Sequence, residues 1–159
     1  MFERDMINKK EDRVRANTAA HVNRRIDEET KRRVARFAGR SEAAISRRIE
    51  ELDLEWDMER YLEINASALA LTGTLLGWLV NKKFLAIPCI VLPFLFQHSL
   101  QGWCPPVPIL RRRSVRTRKE IDAEKYALKA LRGDFVNVAK TDNSAGVGAG
   151  RQAWQAATA

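Results

Sequence analysis

The sequence predicts an all-α protein, built as a two-helix transmembrane hairpin with amphipathic cytoplasmic helices on both sides and a disordered carboxyl-terminal tail. Three observations predict it. Two apolar runs, residues 62–80 and 84–103, are separated only by Asn81-Lys82-Lys83; the stretches around them are charged with helical spacing; and composition changes abruptly at both borders. A net charge of +8 and a mean hydropathy of -0.36 would suit a basic soluble protein, but these averages blend unlike segments.

Residues 1–20 are polar, mixed in charge and without helical periodicity, which predicts a mobile polar arm. The amino terminus shows no apolar run followed by a small-residue cleavage signal, so the first apolar run is expected to serve as its own insertion signal.

Residues 21–61 read as charged amphipathic helices. Val22, Ile26, Val34 and Phe37 fall near one face, and Asp27/Lys31, Glu28/Arg32 and Glu29/Arg33 place a carboxylate four residues before a base, worth about 0.2 to 0.5 kcal/mol per pair. Gly39 supplies a helix stop, and Ser41 is positioned to accept a hydrogen bond from the amides opening the next helix. There Ile45, Ile49, Leu52 and Trp56 form a narrow apolar seam, suited to a dimer contact or to a neighbouring helix of the same chain. No proline interrupts residues 42–80, so this helix is expected to continue into the membrane.

The first transmembrane segment, residues 62–80, would span about 28 Å at about 1.5 Å per residue, close to the hydrocarbon thickness of a bilayer. Its large aliphatics favour insertion, with Glu63 near the headgroups. Ala66, Ala70, Gly73 and Gly77 form a small-residue helix-packing face containing a Gly-x-x-x-Gly motif, which serves equally a homodimer or the second helix of the same hairpin. That second segment, residues 84–103, contains Pro88 and Pro93, predicting a kink, and is expected to stop at Pro105, Pro106 and Pro108. Trp103 sits where an interfacial tryptophan is favoured.

Residues 104–135 form a basic juxtamembrane segment and a capped helix. Arg111, Arg112, Arg113, Arg116, Arg118 and Lys119 follow the second segment directly, against only Lys82 and Lys83 in the turn, so the positive-inside rule places both termini in the cytoplasm. The same bases suit an anionic bilayer surface, whereas nucleic-acid binding is disfavoured by the lack of interleaved aromatic residues. Thr117 and Glu120 form a capping box, Ile121, Leu128 and Leu131 an apolar face, and Gly133 a terminator. Residues 136–159, rich in Gly, Ala, Ser and Asn, predict the disordered tail; Gly146-Val147-Gly148-Ala149-Gly150 follows no strand and is no phosphate loop.

No catalytic, cofactor-binding or metal-ligating set emerges, and the two cysteines, Cys89 and Cys104, have no metal-ligand spacing. Gln97, His98, Gln101 and Cys104 are the one polar and thiol cluster. Two readings stand: amides that hydrogen-bond across to Asn65 or Ser67 and fix packing, or a site whose Cys104 thiolate acts as a nucleophile.

At Gly102-Trp103-Cys104-Pro105-Pro106 the chain resembles the YgaP-like inner-membrane domain family, a small two-helix bacterial domain of largely unknown function whose second helix ends in a similar Gly-x-Cys-Pro. Glu59-Arg60 and Gly73 are also similar, and the resemblance covers residues 57–110. It implies a multi-pass inner-membrane location and a helical hairpin, sometimes joined to a rhodanese domain, which this chain does not resemble. The expected function is thus a non-enzymatic inner-membrane anchor that binds an unidentified protein partner or a second copy. The alternatives are a thiol-dependent or sulfur-handling membrane component using Cys104, organisation of a lipid surface by the basic block, and a soluble helical bundle with the same hairpin as its core.

Overall fold

The computed structural model describes residues 12–136, 138 and 147–158; expectations for the first eleven residues and for the interior of the tail lie outside them. Every regular element among the described residues is helical: α1 (Arg13–Ala16), α2 (Ala20–Phe37), α3 (Glu42–Leu54), α4 (Met58–Leu79), a 3-10 turn (Lys82–Leu85), α5 (Ala86–Gln101), α6 (Val107–Arg112), α7 (Arg118–Arg132) and α8 (Val147–Thr158). The chain divides into two compact units, one of Met1–Asp27 with Trp56–Lys119, the other of Glu28–Glu55 with Glu120–Ala159.

In the first unit, α4 starts afresh instead of continuing α3. Glu55 and Asp57 are extended; the Asp57 carboxylate accepts the Arg60 amide at 2.9 Å, and the Met58 amide donates to the Arg116 carbonyl at 2.9 Å. An aspartate that satisfies an amide of the first turn from outside the helix sets a boundary without any proline. Two helical stretches are long and apolar enough to cross a membrane, Glu42–Leu79, whose apolar part is α4, and Lys82–Gln101, which joins the 3-10 turn to α5. They pack on each other, with Gly77 facing Leu85 and Gly73 facing Ile87 and Pro88: a Cβ on Gly73 would lie 2.7 Å from Pro88 Cδ, and one on Gly77 2.6 Å from Leu85 Cδ2. The small-residue face is therefore occupied within the chain. Ala66 and Ala70 continue it, half-buried, while Leu69, Leu71, Leu75, Trp78, Ile90, Leu92 and Phe96 point outward.

Pro88 lies in the first turn of α5, where its missing amide would have no intrahelical partner anyway; Pro93 is interior. The stop differs from the expected one. Gly102, at φ +72°, ends α5 in the left-handed conformation, and the prolines sit beyond it, Pro106 capping α6 and Pro108 in its first turn.

At the other end of the pair, Val14, Met58, Leu62, Cys104 and Val107 form an apolar cluster, with Leu110 and Val115 packed against it. Val14 belongs to the stretch expected to be a mobile arm; over residues 12–20 that expectation fails because α1 buries this side chain and caps α5. Val22 and Ile26 of α2 are also buried, and Asp27 pairs with Arg15 at 2.8 Å.

In the second unit, Ile45, Ile49 and Leu52 of α3 bury themselves against Ile121 and Leu128 of α7, with Phe37 alongside. The seam thus has its partner helix in the same chain; Trp56 is not part of it, meeting Tyr61 edge to face and lying under the Arg60 guanidinium. Between Ile121 and Leu128 the buried position is Glu124, fully enclosed, and Leu131 is exposed. Arg33 donates to Glu124 at 2.9 Å and Arg48 at 3.0 and 3.1 Å. Lys125 reaches Asp53 at 2.6 Å, and Arg132 donates to Ser46 at 2.8 Å. Gly133, at φ +91°, closes α7. Ser41 occupies the cap position of α3 by its backbone, but its hydroxyl makes no capping bond; its carbonyl accepts from Ala44 and Ile45.

The tail departs from expectation over Val147–Thr158, which is helical as α8. Its Gly-poor second half permits a helix, and the Ala157 carbonyl accepts from the Lys129 ammonium at 2.7 Å. That bond satisfies one of the carbonyls a helix end leaves open.

Candidate functional site

The site grows from the carboxyl end of α5. Its last carbonyls lack intrahelical donors, and α1 supplies them: Arg13 donates to the Ser99 carbonyl and, at 3.4 Å, to Leu100, while the Asn17 amide donates to Gln101 at 2.7 Å. This capping brings the α1 backbone over Gly102, so closely that a Cβ there would sit 2.5 Å from the Arg13 carbonyl carbon. Asp12 is fixed on both oxygens, accepting from the Thr117 hydroxyl at 2.6 Å and the Arg15 amide at 3.0 Å.

These anchors leave a cavity of about 350 Å³ lined by Asp12 and Arg13, by Glu59 and Glu63 of α4, by His98 and Ser99 of α5, and by Thr117, Arg118 and Lys119 at the start of α7. Glu59 and Glu63 are four residues apart and so share a helix face. Two buried polar atoms stand out on these walls: Glu59 Oε2 and His98 Nδ1 have no hydrogen-bond partner among the described residues. His98 is only 8% exposed, so solvent does not reach its ring freely. Burial pushes the Glu59 carboxyl above the usual range, and Asp57, Asp12 and Glu63 push it the same way.

The sequence cluster Gln97, His98, Gln101 and Cys104 is divided among three environments. His98 reaches the cavity. Gln97 donates to Gln101 at 3.4 Å on an outer face, while Asn65 turns back to the Tyr61 carbonyl at 2.6 Å, so this pair of amides does not bridge to Asn65. Cys104 is 4% exposed in the apolar cluster, and burial pushes its thiol up, away from thiolate chemistry.

The basic block is also divided. Arg112, Arg113 and Lys119 are exposed, and Arg118 is half-buried. Arg111 is 1% exposed, donating to Asn23 at 2.8 Å and to the Val115 carbonyl at 3.0 Å, and Arg116 is buried too. These two are not available to a bilayer surface, because their guanidiniums are enclosed by protein. Arg25 instead brings a base to this region, donating to the Arg112 carbonyl at 2.7 Å.

Asp12 and Glu59 were not legible as site residues. Asp12 lies in no local motif and Glu59 entered only through the Glu59-Arg60 pair of the family resemblance; only the folding of α1 over the end of α5 brings them to one cavity with His98. The i,i+4 spacing of Glu59 and Glu63 was the available signal. Among the described residues, no three His, Cys, Asp or Glu side chains group closely enough to hold a metal ion. Comparison with protein-family models, curated proteins and solved structures gives no match.

Proposed function

We propose that this chain is a non-enzymatic membrane anchor and interaction protein, its α4–α5 pair lying in the bilayer as a hairpin and its charged helices on the cytoplasmic side. One observation carries the reading. The two helices use one face for each other, through Gly73 and Gly77, and leave Leu71, Leu75, Trp78, Leu79, Ile90 and Phe96 exposed. The core helices of a soluble bundle would be mostly buried, and an exposed apolar surface of this extent calls for lipid or a partner to cover it. Exposed Arg112 and Arg113, with Lys119, supply the positive flank and the attraction to anionic lipid.

The likeness to the YgaP-like family supports an inner-membrane site, and Gly102 gives its Gly-x-Cys-Pro segment a physical role, ending the second helix in a left-handed turn. Alkaline carbonate extraction of membranes tests the proposal. The protein is expected to stay in the pellet; release into the supernatant would sink the hairpin and favour a soluble bundle.

A further inference from the structure

The cavity at the mouth of α4 and α5 has unused hydrogen-bonding capacity on a lining that mixes carboxylates and bases. Asp12, Arg13, Arg118 and Lys119 on its walls are all engaged elsewhere; Asp12 holds Thr117, and Arg13 holds the end of α5. Glu59 Oε2 and His98 Nδ1 are buried and without partners among the described residues. A carboxylate oxygen only accepts, and a neutral imidazole protonated at Nε2 also presents Nδ1 as an acceptor. Leaving two such acceptors buried and unused carries a desolvation cost that a ligand with several N–H donors would recover.

We propose that this cavity binds a primary ammonium group, which donates to Glu59 Oε2 and His98 Nδ1. Glu63 and Asp12 add negative potential, while Arg13, Arg118 and Lys119 on the same lining oppose it, so the two unused acceptors and not net charge carry the proposal. The volume, about 350 Å³, accommodates a small amine together with water. A quaternary ammonium lacks the N–H donors and gains only the charge. The chemistry has two sources, a free amine or the ethanolamine headgroup of a lipid. The second source rests on the membrane reading above; the first does not.

Titration calorimetry on the full chain in detergent, with ethanolamine and then choline, reads the free source. Nanodiscs of phosphatidylethanolamine or of phosphatidylcholine, with ¹⁵N signals of the His98 ring as readout, assess the lipid source; His21→Ala removes the other histidine. Ethanolamine is expected to bind at least tenfold more tightly than choline, or the ethanolamine lipid to shift the His98 Nδ1 signal where the choline lipid does not. Glu59→Gln is expected to abolish whichever response occurs while preserving the melting transition. Binding should strengthen as pH rises through the elevated pKa of Glu59, because protons compete for the same carboxylate. Equal responses to ethanolamine and choline chemistry, a Glu59→Gln variant that responds like the parent, or no response in either arm would overturn the proposal. A response to free ethanolamine by a protein released with carbonate would retain the site and discard only its membrane setting.

Discussion

At the scale of single residues, glycine decides how the apolar helices meet. Gly73 has no conformational need to be glycine, since its backbone is helical; it needs the space, because a Cβ would come within 2.7 Å of Pro88 and 2.8 Å of Ile87. Replacing it with Leu must push α5 away, and overpacking of this kind costs about 1 to 3 kcal/mol. Gly73→Leu is therefore expected to lower the melting temperature in detergent at any protein concentration. If the motif served a homodimer instead, the variant would change oligomeric state in sedimentation and leave the monomer's melting intact. Gly102 combines both demands, a φ of +72° and a Cβ position already filled by Arg13. Sequence spacing showed the small face at Ala66, Ala70, Gly73 and Gly77 but not what covers it, because a Gly-x-x-x-Gly pattern is the same for either partner.

At the scale of elements, the seam of α3 shows what periodicity reveals and what it leaves out. Its spacing at Ile45, Ile49 and Leu52 identified the buried face; the partner, α7, comes from a segment more than sixty residues on, and only the fold reports it. Likewise the i,i+4 charge pattern of α2 predicted local pairs, yet Asp27 turns to Arg15 and Arg33 to Glu124. Glu28 keeps a local pair with Lys31 at 2.8 Å, whereas the buried Glu124 draws Arg33 because an enclosed carboxylate gains more from two guanidiniums than an exposed one gains from a neighbouring lysine. Glu124 is accordingly the most sensitive polar position of the second unit. Glu124→Ala leaves Arg33 and Arg48 without their shared acceptor and is expected to cost about 3 to 5 kcal/mol. Urea titration followed by far-ultraviolet circular dichroism would show it as a lower midpoint; an unchanged midpoint would mean that the pair of arginines is solvated as well without it. Leu52→Ala, which empties a fully buried position, is the apolar control, at about 2 to 5 kcal/mol.

At the scale of the whole molecule, the two long apolar helices were the most legible part of the chain, since length and hydropathy alone mark a helix able to span a membrane. Helix ends were less so. Asp57 and Gly102 set them through a side-chain cap and a left-handed turn, and both overrode the proline-based reading. The cavity was least legible, because Asp12, Glu59 and His98 converge only through tertiary contacts. What remains for the molecule as a whole is its orientation, and the distribution of bases makes a definite prediction. On the proposed hairpin, Lys82 and Lys83 face the opposite side of the membrane from Arg112 and Arg113, since the intervening segment would cross the bilayer once. In a background with Cys89→Ser and Cys104→Ser, a Lys82→Cys variant is expected to react with a membrane-impermeant maleimide in intact cells. An Ala38→Cys variant, exposed beyond the end of α2, is expected to react only after permeabilisation. The reverse pattern would invert the topology, and equal labelling of both before permeabilisation would remove the crossing itself. Exchange of Arg112 and Arg113 for Gln, with two further lysines placed in the turn, should raise the share of inverted molecules, because orientation follows the balance of bases across the span and not the identity of any single one.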